Sequence, residues 1–535
     1  MAPKLSPLPI DEVLPEVVLA LQKSNRAILC APPGAGKTTR VPGALLEAGL
    51  AENGKIVVLQ PRRIAARTTA ARIASERQVS LGEEVGFIVR GESKTSKKTR
   101  LEVMTEGILL RRLLDDPFLE DVSIVILDEF HERSLASDLL LGMLRQLQAS
   151  VRPDIRILVM SATLSAELLA KQLAPCPVVQ SEGRTFPVKV RYQPPLDRQA
   201  LAEHAAKVAT SLLAETEGNI LVFLPGVGEI RRACELVQSL VNDPEIDVCM
   251  LYGDLPLAEQ QRVLMPGARR KVILSTNVAE TSLTIEGVTG VVDTGQARIL
   301  RYDPASGLDK LELEPISQAS SQQRAGRAGR TAPGICVRLW PEGSQRHRPE
   351  FDTPEIQRVD LAGGLLQLFG WIEPDVSTFP WLEPPEPARV TKSLELLELL
   401  DAVQDSAITP IGKELARLPV HPRLGRMLLE GAIQGCVPEA ALAAALLSER
   451  DPFSGRRSNY RGTSSTVRSH ASESDVLDRV QAVQAWRDRS QDSPLLDQVN
   501  VGAMRAVIDA SQQLSQLAAS SFQRMCCISP MRKAC

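Results

Sequence analysis

An α/β fold of two tandem parallel-sheet lobes, followed by a largely helical region, is the class this sequence predicts. Three observations carry that prediction. Short apolar runs alternate with helical stretches over the first 180 or so residues. The alternation restarts after a Pro-rich break near Arg184–Pro195, and strand signals fade past Arg330. Strands alternating with helices argue for βαβ units and a parallel sheet.

The elements follow in order. Arg26–Cys30, Lys55–Leu59, Ile124–Leu127 and Ile155–Met160 read as buried strands, with helical stretches such as Arg63–Arg77 between them. Ile220–Leu224, Val248–Tyr252 and Lys271–Ser275 are the strands of a second lobe. Each lobe has about 150 residues, an ordinary domain size. Gln296–Ser317 reads as a β-hairpin turning near Pro304–Gly307. Beyond it, Pro380, Pro384, Pro385 and Pro387 separate helical runs. Leu394–Leu400 and Ile411–Leu418 carry leucines at helical period, and Pro438–Leu447 is rich in Ala and Leu. The Ser- and Arg-rich stretch Phe453–Ser474 reads as an exposed loop, with Arg456, Arg457, Arg461 and Arg468 as candidate phosphate contacts.

Composition narrows the function classes. The 535 residues suggest three to four domains at about 150 each. Hydrophobic residues at 44% and charged residues at 24% exclude wholesale disorder. With 62 Lys+Arg against 65 Asp+Glu the net charge is −3, so a polyanion must be held by a local basic channel and not by bulk charge. The longest fully apolar run, Ala440–Leu447, is far short of a membrane span, which predicts no membrane partner. The N-terminus lacks the apolar core of a signal peptide, so a cytoplasmic protein is expected. Nine cysteines without a CxxC pair read as reduced thiols. Aromatics at 3% argue against a row of stacked bases.

The motifs carry the chemistry. Ala31–Thr38 (APPGAGKT) lies between a strand and a helical run and follows the P-loop pattern, with Ala31 in place of the first Gly. Small residues at Gly34, Ala35 and Gly36 let backbone N–H groups close around a phosphate. Lys37 supplies charge to the β- and γ-oxygens, and Thr38 offers a hydroxyl to Mg²⁺. Ninety-one positions after Lys37, an apolar strand ends in Asp128-Glu129-Phe130-His131. Asp128 fits the acid that holds Mg²⁺, and Glu129 fits the group that orients and deprotonates water, with a possible share in the metal site. Arg327 and Arg330, three apart after an apolar strand pattern, fall on one side of a helix.

In order and spacing these motifs resemble those of superfamily-2 helicases of the DEAH (DExH) group, and among them the bacterial HrpB type. The resemblance runs from Ala31 to Arg330. It also includes Gln60-Pro61-Arg62-Arg63, Thr105-Glu106-Gly107, Ser161-Ala162-Thr163, Phe223-Leu224-Pro225-Gly226, Ser275-Thr276-Asn277, Glu280-Thr281-Ser282 and Gln323–Arg330 (QRAGRAGR). It implies two RecA-like lobes, at 1–180 and 181–342, then a winged-helix domain at 343–423 and an α-helical bundle at 424–535.

The resemblance also assigns roles. ATP, and other NTPs in the absence of a clear adenine-reading glutamine, would be held by Ala31, Pro33, Gly34, Ala35, Gly36, Lys37, Thr38, Thr39, Arg72 and Ser282. Leu264 stands where many relatives place the aromatic partner of Arg72. Arg327 and Arg330 would reach the phosphates from the second lobe, while Gln323 helps place water. His131 would couple the box to the second lobe or serve as a structural histidine. Ser161 and Thr163 would join hydrolysis to lobe movement. Arg62, Arg63, Thr105, Gly226, Thr276 and Asn277 would grip the nucleic-acid backbone.

The expected activity is 3′-to-5′ movement on single-stranded RNA, or unwinding from a 3′ overhang, driven by ATP hydrolysis. The alternatives are a DNA-directed translocase acting on single-stranded DNA, or an RNA-binding scaffold with weak NTPase. Family members continue past Cys535, and Met525–Cys535 reads as a truncation, a frame change or a short native tail, which makes the helical bundle incomplete.

Overall fold

The computed structural model describes residues 7–528, apart from 53, 163–165, 184–185, 197–199, 254, 266, 282, 284, 306, 372–374, 454–473, 490–492, 494 and 497–498. Thr163, Ser282 and nearly all of the Ser- and Arg-rich stretch therefore lie outside the described residues. The chain divides into two compact units. One is Met1–Asp360 with Pro380–Pro385; the other is Leu361–Phe379 with Glu386–Cys535.

The first unit holds two large sheets and a two-stranded hairpin. Lobe 1 contains β1 (Arg26–Cys30), β2 (Lys55–Gln60), β3 (Val85–Val89), β4 (Glu92–Lys94), β5 (Leu101–Thr105), β6 (Val122–Leu127), β7 (Arg156–Ser161) and β8 (Val178–Gln180). Their order is β4-β3-β5-β2-β6-β7-β1-β8, with every pairing parallel except β3 with β4. The central strands are apolar throughout because helices cover both faces of a parallel sheet. In β6, Ile124, Val125, Ile126 and Leu127 are all buried. β1, β2, β6 and β7 lie within a few residues of the strands the sequence predicts. β3 and β5 escape that pattern because Gly86 and Glu102 break their apolar runs.

Lobe 2 contains β9 (Val188–Tyr192), β10 (Asn219–Phe223), β11 (Ile246–Leu251), β12 (Arg270–Ser275) and β13 (Val288–Asp293), the hairpin strands β14 (Gln296–Asp303) and β15 (Leu308–Pro315), and β16 (Gly334–Arg338). Six of them form a parallel sheet ordered β11-β12-β10-β13-β16-β9. The hairpin is the one expected: Gln296 pairs with Pro315, and Asp303 with Leu308.

In each sheet the chain reverses direction across the strand order, and such α/β sheets bind ligands at the carboxyl ends of the strands beside the switch point. Hydrogen bonds align these ends in lobe 1. Ala31 N donates to Ser161 O (3.1 Å), and Asp128 N donates to Leu59 O (3.3 Å).

The second unit opens with helices Ala362–Trp371 and Pro387–Leu399, the two-residue strands β17 (Val403–Gln404) and β18 (Ala407–Ile408), and helix Pro410–Arg417. Three helices with a small antiparallel wing make a winged helix. Helices Pro422–Ile433, Val437–Ser448, Asp475–Arg487 and Val501–Ile528 follow. Arg524 on the last of these donates to the buried Glu414 carboxylate at 2.7 Å, fastening it to helix Pro410–Arg417. Among the described residues no helix is long and apolar enough to cross a membrane.

Candidate nucleotide and nucleic-acid site

The loop after β1 turns through two glycines with positive φ, Gly34 at 89° and Gly36 at 95°. Residues with a Cβ rarely adopt that region. At Gly36 a Cβ would also lie 2.6 Å from Leu8 Cδ1. Residues ahead of the first helix thus back the loop, and Ile10 N donates to Ala35 O at 3.1 Å.

Lys37 and Thr38 open helix Lys37–Glu47 beneath this loop. Lys37 Nζ sits 3.2 Å from Glu129 Oε1 and 3.3 Å from Oε2, both side chains being almost fully buried. Thr38 Oγ1 donates to Asp128 Oδ2 at 2.6 Å. Gln60 Nε2, at the end of β2, donates to the same oxygen at 2.7 Å. Spacing alone gives Gln60 no role, because nothing in it aims a strand-end amide at an acid.

The two acids are driven apart electrostatically. Burial, reinforced by the neighbouring Glu129 charge, raises the Asp128 carboxyl above the ordinary range. Burial also opposes ionisation of Glu129, but Lys37 outweighs it and holds that carboxyl below the ordinary range. Glu129 is thus a carboxylate at neutral pH, able to accept a proton.

Glu129 and Arg133 bracket the turn Phe130–Glu132 with left-handed φ values of 51° and 49°. This turn brings His131 Nδ1 3.3 Å from Ala162 N, from which it accepts. Burial lowers the His131 pKa, and the Ala162 bond requires an unprotonated Nδ1, so the ring is neutral. The box is thereby joined to the Ser161-Ala162-Thr163 motif.

The second lobe corrects one expectation. Helix Gln318–Gly326 stops at Gly326, and Arg327–Gly329 form a 3₁₀ turn. Arg327 and Arg330 therefore sit on a 3₁₀ turn and its C-terminal cap, not on the helix itself, a winding in which residues three apart still fall on one side. Arg330 lies against the phosphate loop: a Cβ on Gly34 would be 3.7 Å from Arg330 Cδ. Burial pushes the Arg330 pKa down to about 10, against the pull of Glu129, leaving it cationic at neutral pH.

Arg327 is held differently. It donates to Glu280 O (2.9 Å), Thr281 O (2.5 Å) and Leu283 O in its own lobe. Gln323 is half-buried on helix Gln318–Gly326.

Arg324, unremarked in sequence, is the buried anchor of the motif. It donates to Glu280 Oε2 (2.8 Å) and Asp293 Oδ1 (2.9 Å) and lies 4.8 Å from the centre of the Phe223 ring.

The expected nucleic-acid contacts fall along both lobes. Arg63 is exposed, and its Nη2 donates to Arg90 O at 2.9 Å. Thr105 holds the N-cap position of helix Glu106–Asp115 without a side-chain cap bond, whereas the Thr276 hydroxyl caps the turn Asn277–Ala279 by accepting from Val278 N, with Asn277 exposed. Gly226 is buried, and a Cβ there would meet Arg298 Nε at 2.7 Å. Arg62 joins the lobes: its guanidinium reaches Glu132 Oε2 (3.0 Å) and Thr281 Oγ1 (3.3 Å).

Comparison with known proteins bears on this geometry. Residues 12–170 match the family "DEAD/DEAH box helicase" and residues 203–332 the "Helicase conserved C-terminal domain". Residues 393–420 match the winged-helix part of the helicase-associated domain HA2, and 421–493 its ratchet-like part. The Escherichia coli (strain K12) ATP-dependent RNA helicase HrpB is 42% identical over 447 residues, covering 83% of this chain and 55% of that protein. A crystal structure of E. coli DExH-box NTPase HrpB superposes with a TM-score of 0.77 at 38% identity, covering 97% of this chain and 59% of that one. The chain belongs to the DEAH-box helicases of HrpB type.

The Schizosaccharomyces pombe pre-mRNA-splicing factor ATP-dependent RNA helicase prp22 is also similar, at 36% identity over 523 residues, covering 95% of this chain and 45% of that protein. The chain spans about half the length of these DEAH-box relatives. Of the remaining positions read from the family, Ala31 and Ala35 are buried in the loop and Pro33 is half-buried. Thr39 Oγ1 bonds Gly36 O at 3.4 Å. Arg72 is exposed and paired with Glu76 at 2.7 Å. Ser161 is fully buried.

Proposed function

We propose that this chain is an ATP-driven RNA helicase that moves 3′ to 5′ along single-stranded RNA and unwinds duplexes from a 3′ overhang. One observation carries the reading: Arg330 of lobe 2 lies against Gly34 of the phosphate loop in lobe 1. Hydrolysis then depends on both lobes, which is what couples it to their relative movement.

Backbone N–H groups of the loop and Lys37 bind the phosphates. The γ-phosphate competes with Glu129 for Lys37, turning the carboxylate toward water. Glu129 orients that water and takes its proton. Arg330 offsets charge developing on the transferred phosphoryl group, a contribution worth about 10³–10⁵ in rate when supplied by an arginine finger. Arg327 fixes the Glu280, Thr281 and Leu283 carbonyls of its lobe.

Thr38 and Asp128 present oxygens on one wall, a donor set suited to a hard cation. Mg²⁺ bound there would neutralise charge on the β- and γ-oxygens. Arg63, Thr105, Thr276 and Asn277 supply the RNA track.

Hydrolysis measured with single-stranded RNA, with single-stranded DNA and with neither tests the proposal. Strong stimulation by RNA is expected. Equal stimulation by both polymers would overturn the RNA assignment, and no turnover would support a scaffold.

A further inference from the structure

Glu132 sits where three parts of the machine meet. It ends the 3₁₀ turn that begins right after the proposed base Glu129. Its Oε2 pairs with Arg62 Nη2 at 3.0 Å, and its Oε1 accepts from the Thr281 hydroxyl of lobe 2. The Thr281 carbonyl in turn accepts from Arg327 Nη2 at 2.5 Å. Arg62 lies two residues past Gln60, whose amide bonds Asp128. It also reaches the Asn277 and Val278 carbonyls at 3.5 Å. One carboxylate therefore touches a candidate RNA-gripping arginine, stands next to the nucleotide box, and holds the residue whose backbone cages the Arg327 guanidinium.

We propose that Glu132 is a positioning residue that makes RNA binding and phosphate-site closure mutually dependent. An RNA phosphate and the Glu132 carboxylate are rival anions for Arg62. The ion pair is partly exposed, at 24% for Arg62 and 20% for Glu132, so a phosphate can displace it. Once Arg62 turns to RNA, Glu132 keeps the Thr281 hydroxyl. The Glu280–Thr281 backbone shifts with that change at Glu132, and Arg327 shifts with the carbonyls it holds there. The inference rests on reading the chain as an RNA-stimulated NTPase.

The test uses the full chain, an oligouridylate probe and ATP turnover, with thermal unfolding as the folding control. Glu132→Gln keeps an acceptor for Thr281 but gives Arg62 no charge to pair with. RNA affinity should rise roughly two- to fivefold, the size of a partly exposed ion pair. RNA stimulation of kcat should fall by about fivefold or more, the lower end of ordinary coupling between sites, with KM for ATP unchanged.

Thr281→Val should lose stimulation without tightening RNA, and Thr281→Ser should restore it. A merely structural role would not raise RNA affinity in one variant and leave it level in the other. If Glu132→Gln leaves affinity and stimulation within about twofold of wild type, or weakens RNA binding, the proposal is overturned. If Glu132→Gln does not fold, the Thr281 pair decides: equal stimulation in Thr281→Val and wild type refutes it. A wild-type chain that RNA does not stimulate refutes the functional reading itself, a result distinct from these.

Discussion

Lys37 and Glu129 form a buried ion pair, Nζ to Oε1 3.2 Å, at the spot where phosphate charge and attacking water must meet. Lys37 keeps Glu129 charged, and each is freed for its task by a γ-phosphate. Lys37→Ala should lower hydrolysis at least about a hundredfold, as loss of a preorganised charge donor does. RNA binding should persist, since Lys37 lies off the track. Turnover and fluorescence anisotropy on the same preparation check both halves. Substantial turnover in this variant would refute the site.

The two arginines of the last motif should separate cleanly. Arg330→Ala should cost about 10³ in kcat and leave the unfolding midpoint near wild type, because burial already works against its charge where it lies on the phosphate loop. Arg327→Ala strips bonds from three carbonyls and should cost about 3 kcal/mol of stability as well as rate. Denaturant melts beside kinetics distinguish them.

Arg324 should tolerate even a shape-matched change poorly. Arg324→Met leaves Glu280 and Asp293 buried without their cation. Breaking such a network from one side costs about 3–5 kcal/mol. A melt within about 1 kcal/mol of wild type would contradict this account.

Glu106 predicts a pH dependence. Burial, against a bond from Ser134 and with Glu132 and Glu355 nearby, raises its pKa to about 8. The folded chain keeps that proton to about pH 8, whereas the unfolded chain releases it near the ordinary carboxyl value of about 4.3. Between these values the unfolded state binds fewer protons, so stability falls as pH rises, by roughly 1.4 kcal/mol per unit. Glu106→Gln keeps the acceptor for Ser134 and should flatten this slope. Melts from pH 6 to pH 9 measure it; parallel wild-type and variant curves would refute it.

Much of the fold is legible because parallel strands buried on both faces must be apolar. Ile124–Leu127 and Ile220–Phe223 declare themselves that way. The phosphate loop and the acid pair are legible because their spacing reflects what phosphate and metal demand. Other features depend on distant parts of the chain. Nothing local to Arg62 announces a partner in lobe 2, and three arginines spaced by three look alike until Gly326 ends the helix. Glu106 lies in a motif read for its threonine, yet Ser134 and the acids around it determine its proton.

The backing of the phosphate loop by Leu8 and Ile10 has a practical consequence for anyone trimming the gene. A fragment opened at the first strand would retain every signature residue yet strip the nucleotide cradle of its upholstery. Loss of activity in such a fragment would then measure a missing apolar cushion, and would be misread as a fault in the chemistry.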